Sequence, residues 1–425
     1  MAEQIVILGA GYGGIKVAHL LDNLLYNSEN NSLNQKYNII LIDKHDYHTL
    51  RTQLYQPATG SKDINEFRVP MNRVLNGHNV KFVKGHIDAI DFDNRQVIVN
   101  HTEKIPFKYL VNALGSEAEY FNIPGLQENS ISLNSLRNAC RIKKRIEQIL
   151  ADLTSTPEEQ ATIVIGGGGL TGVQFAGELT EQLQIHQHNN QIKPKQYKIV
   201  LVEGNPHLLP GMSATVYKYA KKTLKKLGVE VVTGAFIKKA TADTIYLSTG
   251  REINYTEFVW TGGVRANRLA AQSGLKTDVR GRVEVNQFLQ CAEDEHVYVI
   301  GDSAFVKDPK TGKPVIATAQ AAMQQGKTAA YNIFAEIMGL PKKAYQPSII
   351  FLLIHIGQNK AVGEAVNKFR CIKFKGPLAV HIKNLIPFKY SFILLGGIKS
   401  VSRDLFGKEF IKCPTQECKN HSNVC

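Results

Sequence analysis

A glycine-rich turn near the N-terminus is the first place where residue type and spacing point to chemistry. Gly9, Gly11 and Gly14 stand at GxGxxG spacing, directly after the apolar run of residues 5–8 and before an amphipathic helix pattern. In such a unit the first glycine permits a tight turn, the second lets a pyrophosphate approach the backbone, and the third lets the helix pack closely on the strand. The helix N-terminus adds N–H groups and a partial positive charge. The pattern predicts a dinucleotide-binding turn.

An acidic residue follows at the end of the next apolar run. Asp43 ends residues 37–43 and could accept hydrogen bonds from an adenosine ribose. It lies further from the glycines than the usual ~20 residues. The polar segment 26–35 reads as an inserted loop and accounts for the excess. The alternative is that Asp43 only ends a strand.

The same pattern occurs a second time in the middle of the chain. Gly167, Gly169 and Gly172 follow a second apolar run and precede a second helix pattern, and Glu203 ends the next strand. Two fingerprints with matching acids are far more specific than one. Glu203 is followed by Gly204 and Asn205 rather than by arginine, so a 2′-phosphate would meet negative charge. The pattern therefore favours NADH over NADPH.

Small-residue turns after two further strands could also lie against a nucleotide. One is the segment Ala113 to Gly115, which follows an apolar strand. The other is Gly301 with Asp302, where the carboxylate could bind the ribityl and phosphate oxygens of a flavin or could be a helix N-cap. The segment 44–62 is too polar for a core strand and is predicted to be a loop, with His45, Tyr47, His48 and Gln56 more typical of surface positions than of ligands.

These motifs need parallel strands with helices between them. Strand and helix patterns alternate over both halves of the chain, which predicts an α/β fold with two Rossmann-like domains. A length of 425 residues is enough for two or three such domains. A polar break at residues 154–160 is a candidate boundary.

Composition narrows the function classes. The net charge of +14 is typical of a protein with an anionic partner, but no RNA-binding or helix-turn-helix signature accompanies it, so nucleic acid is not expected. The six cysteines show no CxxC spacing, which argues against a zinc site or a disulfide framework, and no metal is predicted. The N-terminus enters a core strand at once, which predicts no signal peptide and a cytoplasmic location.

Taken together, the motifs resemble the two-dinucleotide-binding-domain flavoproteins of the glutathione-reductase type, and within them the type II NADH:quinone oxidoreductases. The segments that carry this resemblance are GAGYGG (9–14), ALG (113–115), GGGGLTGVQFAGEL (166–179), TGGVRAN (261–267), GDSAF (301–305) and AQAAMQQG (319–326). The last segment separates this family from the disulfide, ferredoxin and sulfide:quinone reductases of the same superfamily.

The resemblance implies an enzyme that passes two electrons from NADH through FAD to a quinone, menaquinone or ubiquinone, without pumping protons. FAD would contact the residues Gly9, Gly11, Gly14, Asp43, Ala113, Gly115, Gly301 and Asp302. NADH would contact Gly167, Gly169, Gly172 and Glu203. The quinone would lie against Gln320, Met323 and Gln324, whose amides can donate to carbonyl oxygens. From the residues alone, 319–337 is simply a helix with glutamines toward solvent.

One position departs from the family pattern. Gln174 stands where relatives of this type usually carry Glu, and Glu178 remains one helical turn away. From the resemblance we expect Gln174, Glu178 and Gln320 to be the catalytic side chains. Because the carboxylate is missing at Gln174, we expect the rate or the electron acceptor to be altered.

The C-terminal region bears on location. Residues 376–410 mix apolar side chains with His381, Lys383, Lys389, Lys399 and Arg403, in runs far shorter than the ~20 residues that span a bilayer. Such basic amphipathic segments lie in the membrane interface. We expect a peripheral protein on the cytoplasmic face of an anionic membrane; packing against the body of the protein or a homodimer contact is the alternative.

The predicted division of the chain is an FAD-binding domain at 1–118 and 290–340, an NADH-binding domain at 119–289, and a C-terminal hairpin with the membrane segment at 341–425. Three other functions stay open. They are an NADH-dependent flavin oxidase or reductase with another acceptor, a sulfide:quinone reductase, and a flavin- or nucleotide-sensing protein without turnover.

Overall fold

Parallel strands separated by helices account for most of the fold, as the alternating sequence pattern predicts. The computed structural model describes residues 2–26, 36–156, 158–189, 192–193, 195–309, 312–348, 350–357, 359–366, 371–383 and 390. Its α-helices are Tyr12–Tyr26, Tyr55–Thr59, Met71–Val74, Leu126–Asn129, Leu136–Ser155, Leu170–His188, Ala214–Leu227, Leu269–Gln272 and Ala319–Ile337. Three short 3-10 helices are Arg51–Gln53, Ile64–Phe67 and Gly301–Ser303.

The chain divides into two compact units. The first unit comprises Met1–Thr49, Arg68–Glu117 and Val264–Ile350. The second unit comprises Leu50–Phe67, Ala118–Gly263 and Phe351–Cys425. The polar break at residues 154–160 therefore lies inside the second unit, and its interpretation as a boundary is wrong.

A five-stranded parallel sheet forms the core of the first unit. Its strands, in spatial order, are Val297–Val299, Tyr109–Asn112, Glu3–Leu8, Tyr37–Asp43 and Val80–Lys84. The central strand pairs Ile5 with Ile39 on one side and with Tyr109 on the other. Residues 5–8 are fully buried, which explains their continuous apolar run. Other strands of this unit are Tyr47–Thr49, Arg68–Pro70, Ile87–Asp91, Gln96–Val99, Glu103–Pro106, Val264–Ala266, Val283–Glu284 and Ala304–Phe305. Strand Ser116–Ala118 begins in this unit and ends at the first residue of the second.

Two helices of the first unit pack closely because both carry glycine at their contact. A Cβ atom on Gly326 of helix Ala319–Ile337 would lie 2.8 Å from the carbonyl oxygen of Gly13 in helix Tyr12–Tyr26. Helix Ala319–Ile337 starts where the Thr318 hydroxyl accepts a hydrogen bond from the Ala321 N–H at 3.1 Å. This close pair holds the start of the later helix beside the glycine-rich turn of the earlier one.

The second unit repeats the same arrangement. Its parallel sheet has the spatial order Ile131–Ser132, Glu257–Trp260, Ala161–Gly166, Tyr197–Glu203 and Glu230–Thr233. In both units the fingerprint strand is central, with the strand that ends in the acid on one side. An antiparallel sheet of Ile237–Ala240, Thr244–Leu247 and Glu252–Asn254 packs its apolar side chains with this core. Two Rossmann-like sheets confirm the predicted fold class.

A three-stranded sheet of Ile350–His355, Ala361–Val366 and Cys371–Lys375 follows at the C-terminal end of the second unit. Its antiparallel strands Ala361–Val366 and Cys371–Lys375 confirm the predicted hairpin. Residues 377–383 are helical, and Ala379 packs with Leu353 and Ala361 in a small core. The rest of the predicted membrane segment, apart from residue 390, lies outside the described residues. Within the described part of the chain, no helix is both long and apolar enough to cross a bilayer.

One local prediction is wrong. The segment 44–62 is not simply a loop, because it contains strand Tyr47–Thr49, 3-10 helix Arg51–Gln53 and helix Tyr55–Thr59. Leu54 and Tyr55 are almost fully buried, at 3% and 2% exposure. The burial of these few apolar residues outweighs the polar composition that surrounds them.

Candidate active site

The first glycine-rich turn has the geometry that its spacing predicts. Gly9 adopts a positive φ of 97°, which favours glycine. A Cβ atom on Gly14 would lie 1.9 Å from the carbonyl oxygen of Gly9, so no larger residue fits there. Among the residues that the structure describes, no atom lies within 4 Å of the Cβ position of Gly11. The turn therefore leaves open space at the second glycine and none at the third.

The second turn reproduces these three features. Gly167 has a φ of 104°, and a Cβ atom on Gly172 would lie 1.9 Å from the carbonyl oxygen of Gly167. The Cβ position of Gly169 again has no atom of a described residue within 4 Å. Gly169 is also the N-cap of helix Leu170–His188, and no side chain caps that helix. Among the described residues, no side chain at the cap satisfies the first N–H groups of this helix, and such groups are suited to bind a phosphate.

The two acids occupy equivalent places. The Asp43 carboxylate accepts a hydrogen bond from the Ala10 N–H at 2.7 Å, and the Glu203 carboxylate accepts one from the Gly168 N–H at 2.7 Å. Ala10 and Gly168 each stand between the first two glycines of their turns. Glu203 accepts two more hydrogen bonds, from the backbone and side-chain nitrogens of Asn205 at 2.7 and 2.6 Å. Each acid is therefore fixed beside its own glycine-rich turn.

The small-residue turn at Ala113 to Gly115 also lies against the first fingerprint. A Cβ atom on Gly9 would be 2.6 Å from the Ala113 carbonyl oxygen. Gly115 has a φ of 72°, and its carbonyl oxygen accepts a hydrogen bond from the Ser303 hydroxyl at 3.1 Å. The backbone is thus close-packed where three strand ends meet.

Asp302 is not a helix N-cap. The 3-10 helix Gly301–Ser303 has Ile300 at its N-cap, and the Asp302 carboxylate accepts a hydrogen bond from the Ser116 hydroxyl at 2.7 Å. The N–H of Gly301, whose φ is 69°, donates to the Gln325 side-chain oxygen at 2.7 Å. The N-cap interpretation is therefore wrong, and the role of this carboxylate toward a flavin stays a prediction.

The predicted quinone residues share one face of helix Ala319–Ile337. Gln320, Met323 and Gln324 are half-buried, whereas Ala321 and Ala322 between them and Gln325 after them are buried. The Gln324 side-chain oxygen accepts a hydrogen bond from the Ser348 N–H at 3.0 Å. The glutamines are thus neither core residues nor fully exposed to solvent.

Gln174 and Glu178 lie one turn apart on helix Leu170–His188 in the second unit and are 5% and 3% exposed. Burial raises the pKa of the Glu178 carboxyl, a nearby Glu181 adds to the rise, and a hydrogen bond from Ser61 together with Lys62 opposes it. A carboxyl in this environment binds a proton more readily than one in water.

Sequence reasoning misplaced one polar group around these turns and missed two others. The expectation that His48 lies at the surface is wrong. His48 is buried at 1% exposure, its Nδ1 donates to the Ala10 carbonyl oxygen at 2.9 Å, and burial lowers its pKa to about 4. Gln325 holds the Gly301 N–H, as described above. Asn112 is 1% exposed and its side-chain nitrogen has no partner among the described residues. Only the position of Asn112 at the end of an apolar strand could have drawn attention to it.

The residues present fit a dinucleotide in each unit. Open space at the second glycine, backbone N–H groups at the helix start and an acid at the neighbouring strand end are the parts that hold a pyrophosphate and a ribose. No cluster of metal-ligating side chains occurs among the residues that the structure describes.

A protein with two such turns on two parallel sheets belongs to the class of two-dinucleotide-binding-domain oxidoreductases. The pattern of the pyridine nucleotide-disulphide oxidoreductase family matches residues 3–326, and the chain belongs to that family. A relative from Staphylococcus saprophyticus, named type II NADH:quinone oxidoreductase, is 29% identical over 405 residues, which cover 93% of this chain and 96% of the relative. Relatives of the same name from Staphylococcus aureus strains are equally similar. The resemblance inferred from the motifs is confirmed.

Solved structures show the same fold. A sulfide:quinone oxidoreductase from Aquifex aeolicus has a TM-score of 0.78 at 20% identity and covers 96% of both chains. NDH2 from Plasmodium falciparum, solved in complex with NADH, has a TM-score of 0.77 at 18% identity and covers 97% of this chain and all of its own. At these identities the likeness concerns the fold and not the reaction.

Proposed function

We propose that this protein is a type II NADH:quinone oxidoreductase with FAD in the first unit and NADH in the second. The single observation that carries the proposal is the repeated cradle, with open space at Gly11 and at Gly169 and an acid fixed beside each turn. Two cradles in one chain fit an enzyme that holds a flavin dinucleotide and a nicotinamide dinucleotide at once. A bound flavin would supply the redox chemistry, with two electrons entering from NADH and leaving to the quinone.

The chain's own residues would bind and orient rather than react. Helix N-termini and backbone N–H groups hold the pyrophosphates, while Asp43 and Glu203 accept from ribose hydroxyls. Glu203 also sets the nucleotide preference, because its carboxylate would repel a 2′-phosphate. Asp302 and the turn at Ala113 to Gly115 would contact the flavin nucleotide.

The acceptor side of the proposal rests on two helices. Gln320, Met323 and Gln324 form a half-buried face with amide donors, which suits the carbonyl oxygens of menaquinone or ubiquinone. Gln174 and Glu178 are buried on their helix, and Glu178 is the group suited to hold a proton. We assign the catalytic roles to Gln174, Glu178 and Gln320 on this basis.

The division into cofactor domains is part of the same proposal. FAD would belong to residues 1–118 and 290–340, NADH to 119–289, and membrane attachment to 341–425. The enzyme would be peripheral on the cytoplasmic face, held by anionic lipid, and its electron transfer would not pump protons.

An NADH oxidase with another acceptor is the second candidate, because the amide of Gln174 replaces a carboxylate on a buried helix face. The sulfide:quinone alternative has less support. It would need a reactive cysteine pair, whereas Cys140 and Cys291 are 4% and 3% exposed and burial raises the pKa of Cys291 to about 11.

Anaerobic mixing of the purified yellow protein with NADH tests the proposal. We expect rapid bleaching of flavin absorbance, followed by recovery when a menaquinone analogue is added. Bleaching that oxygen reverses but quinone does not would favour the oxidase candidate. A protein that NADH does not bleach would overturn the enzyme proposal and leave a flavin- or nucleotide-sensing function.

A further inference from the structure

Helix Ala214–Leu227 of the second unit carries a concentration of positive charge that neither nucleotide site uses. Its sequence, ATVYKYAKKTLKKL, contains five lysines and no acidic residue. Val216, Ala220, Leu224 and Leu227 are buried on one side of the helix. Lys218, Lys222, Lys225 and Lys226 are exposed on the other, and Lys221 is half-buried.

These five lysines form no ion pair with any described residue. Some basic side chains elsewhere in the same unit are paired, for example Arg145 with Glu257 at 2.9 Å and Lys198 with Glu230 at 2.8 Å. Lysines four residues apart on a helix repel each other and lower its stability. An unbalanced stripe of this kind is therefore more costly than an ordinary solvated face.

The lysines line a surface groove of about 600 Å³, together with His207 and Tyr217. The rings of His207 and Tyr217 stack at 4.2 Å with only 7° between their planes. Aromatic rings beside lysines are the composition of surfaces that lie at the boundary of water and lipid.

The groove adjoins the C-terminal sheet of the same unit. The Ser213 N–H, at the start of the helix, donates to the buried Glu364 carboxylate at 3.4 Å, and the Lys373 ammonium donates to the Thr215 hydroxyl at 3.3 Å. This sheet and the helical residues 377–383 that follow it expose apolar side chains, with Ile372 52% and Leu378 63% accessible. Lysines and exposed apolar residues thus occur on directly packed elements. A lipid surface can bind both kinds of side chain, whereas a soluble polyanion would bind only the lysines.

We propose that the lysine face of helix Ala214–Leu227 is an electrostatic contact with an anionic lipid surface. The inference rests on the proposed peripheral membrane attachment and adds a surface to it, in a part of the chain distinct from the C-terminal segment. Each lysine that reaches an anionic surface strengthens binding about fivefold, and the attraction falls as salt screens it.

Vesicle sedimentation with the full-length, FAD-loaded protein tests the inference. The variant carries Lys218→Gln, Lys222→Gln, Lys225→Gln and Lys226→Gln. A matched control removes four exposed positive charges elsewhere in the unit, by Arg137→Gln, Arg141→Gln, Lys144→Gln and Lys238→Gln. Vesicles are either pure phosphatidylcholine or phosphatidylcholine with 30% phosphatidylglycerol, as a probe on the order of cellular anionic content.

We expect the lysine variant to bind the anionic vesicles at least tenfold more weakly than the unchanged protein, and the control variant to bind within about threefold of it. Raising the salt from about 0.05 to 0.5 M should remove most of the difference. Equal losses in the two variants, or the same binding to neutral and anionic vesicles, would overturn the inference. Binding of inorganic polyphosphate that the lysine variant loses, with vesicle binding intact, would overturn it too.

The test is independent of the proposed function, because sedimentation needs no turnover. Flavin bleaching by NADH is measured separately on both variants. Loss of vesicle binding by the lysine variant with flavin bleaching intact would support the lipid contact and would not bear on the reaction. Absence of bleaching in the unchanged protein would contradict only the proposed reaction.

Discussion

Substitution of two glycines in the second turn separates nucleotide binding from folding. Gly169 and Gly172 differ in what an added methyl group would meet. At Gly169 it would meet no atom within 4 Å in the described part of the chain, whereas at Gly172 the Gly167 carbonyl oxygen lies 1.9 Å away and the Thr261 hydroxyl 2.6 Å away. Gly169 has a φ of −74°, which alanine adopts without strain. Gly169→Ala should therefore fold normally and fill only the space meant for a pyrophosphate.

The expected loss follows from the contacts that a displaced pyrophosphate gives up. A hydrogen bond to a charged group contributes about 1.5–3 kcal/mol. Loss of one such bond raises the NADH concentration for half-maximal flavin bleaching about 10- to 150-fold. The FAD content and the melting temperature of Gly169→Ala should stay within error of the unchanged protein, because the first turn lies in the other unit.

Gly172→Ala provides the comparison. Its methyl group overlaps backbone, and overpacking of this kind costs about 1–3 kcal/mol. We expect a melting temperature lower by several degrees together with weak NADH binding. Stopped-flow bleaching over a range of NADH concentrations, with melting followed by flavin fluorescence, measures both. An unchanged NADH dependence in Gly169→Ala would refute the assignment of this turn to the nucleotide.

Three further substitutions test the site. Burial lowers the pKa of His48 to about 4, below its value of ~6.5 in the unfolded chain. The neutral His48 ring therefore stabilises the fold above pH ~6.5, and up to about 3 kcal/mol of this stability is lost as the pH falls toward 4. Between pH 7 and pH 4.5 the melting temperature of His48→Gln should therefore fall less than that of the unchanged protein. An equal fall in the two proteins would contradict this. Gln174→Glu places a second carboxyl one turn from buried Glu178, so the melting temperature should fall more at pH 8, where both groups tend to ionise, than at pH 5. The rate of quinone reduction should change relative to the rate of flavin bleaching. A melting temperature that falls equally at both pH values would argue against repulsion between the two carboxyl groups. Glu203→Gln should weaken NADH binding and reduce the preference for NADH over NADPH. The preference is measured as the ratio of the NADPH and NADH concentrations that give half-maximal flavin bleaching, and an unaltered ratio would show that Glu203 does not select the nucleotide.

The glycine-rich turns could be predicted from the sequence because each depends on neighbours close in the chain, and their acids because each ends the next apolar strand of a repeated pattern. Strand Tyr37–Asp43 and helix Ala319–Ile337 have the bounds that their apolar patterns indicate. A strand, a turn and a helix carry their own periodicity and their own glycine positions, so local sequence is enough to locate them.

Only the tertiary structure determined which polar residues are buried and which partners they bind. Nothing in the sequence near His48 indicates that its ring lies against the Ala10 carbonyl, because that contact joins residues 38 positions apart. The segment Leu50–Phe67 belongs to the second unit although the residues on both sides of it belong to the first, and this crossing leaves no periodic signal. The hydrogen bond between Gln325 and Gly301 likewise depends on how a helix packs after the chain has returned to its first sheet. Local patterns specify elements, whereas burial of a polar group is decided by the distant partners that fold against it.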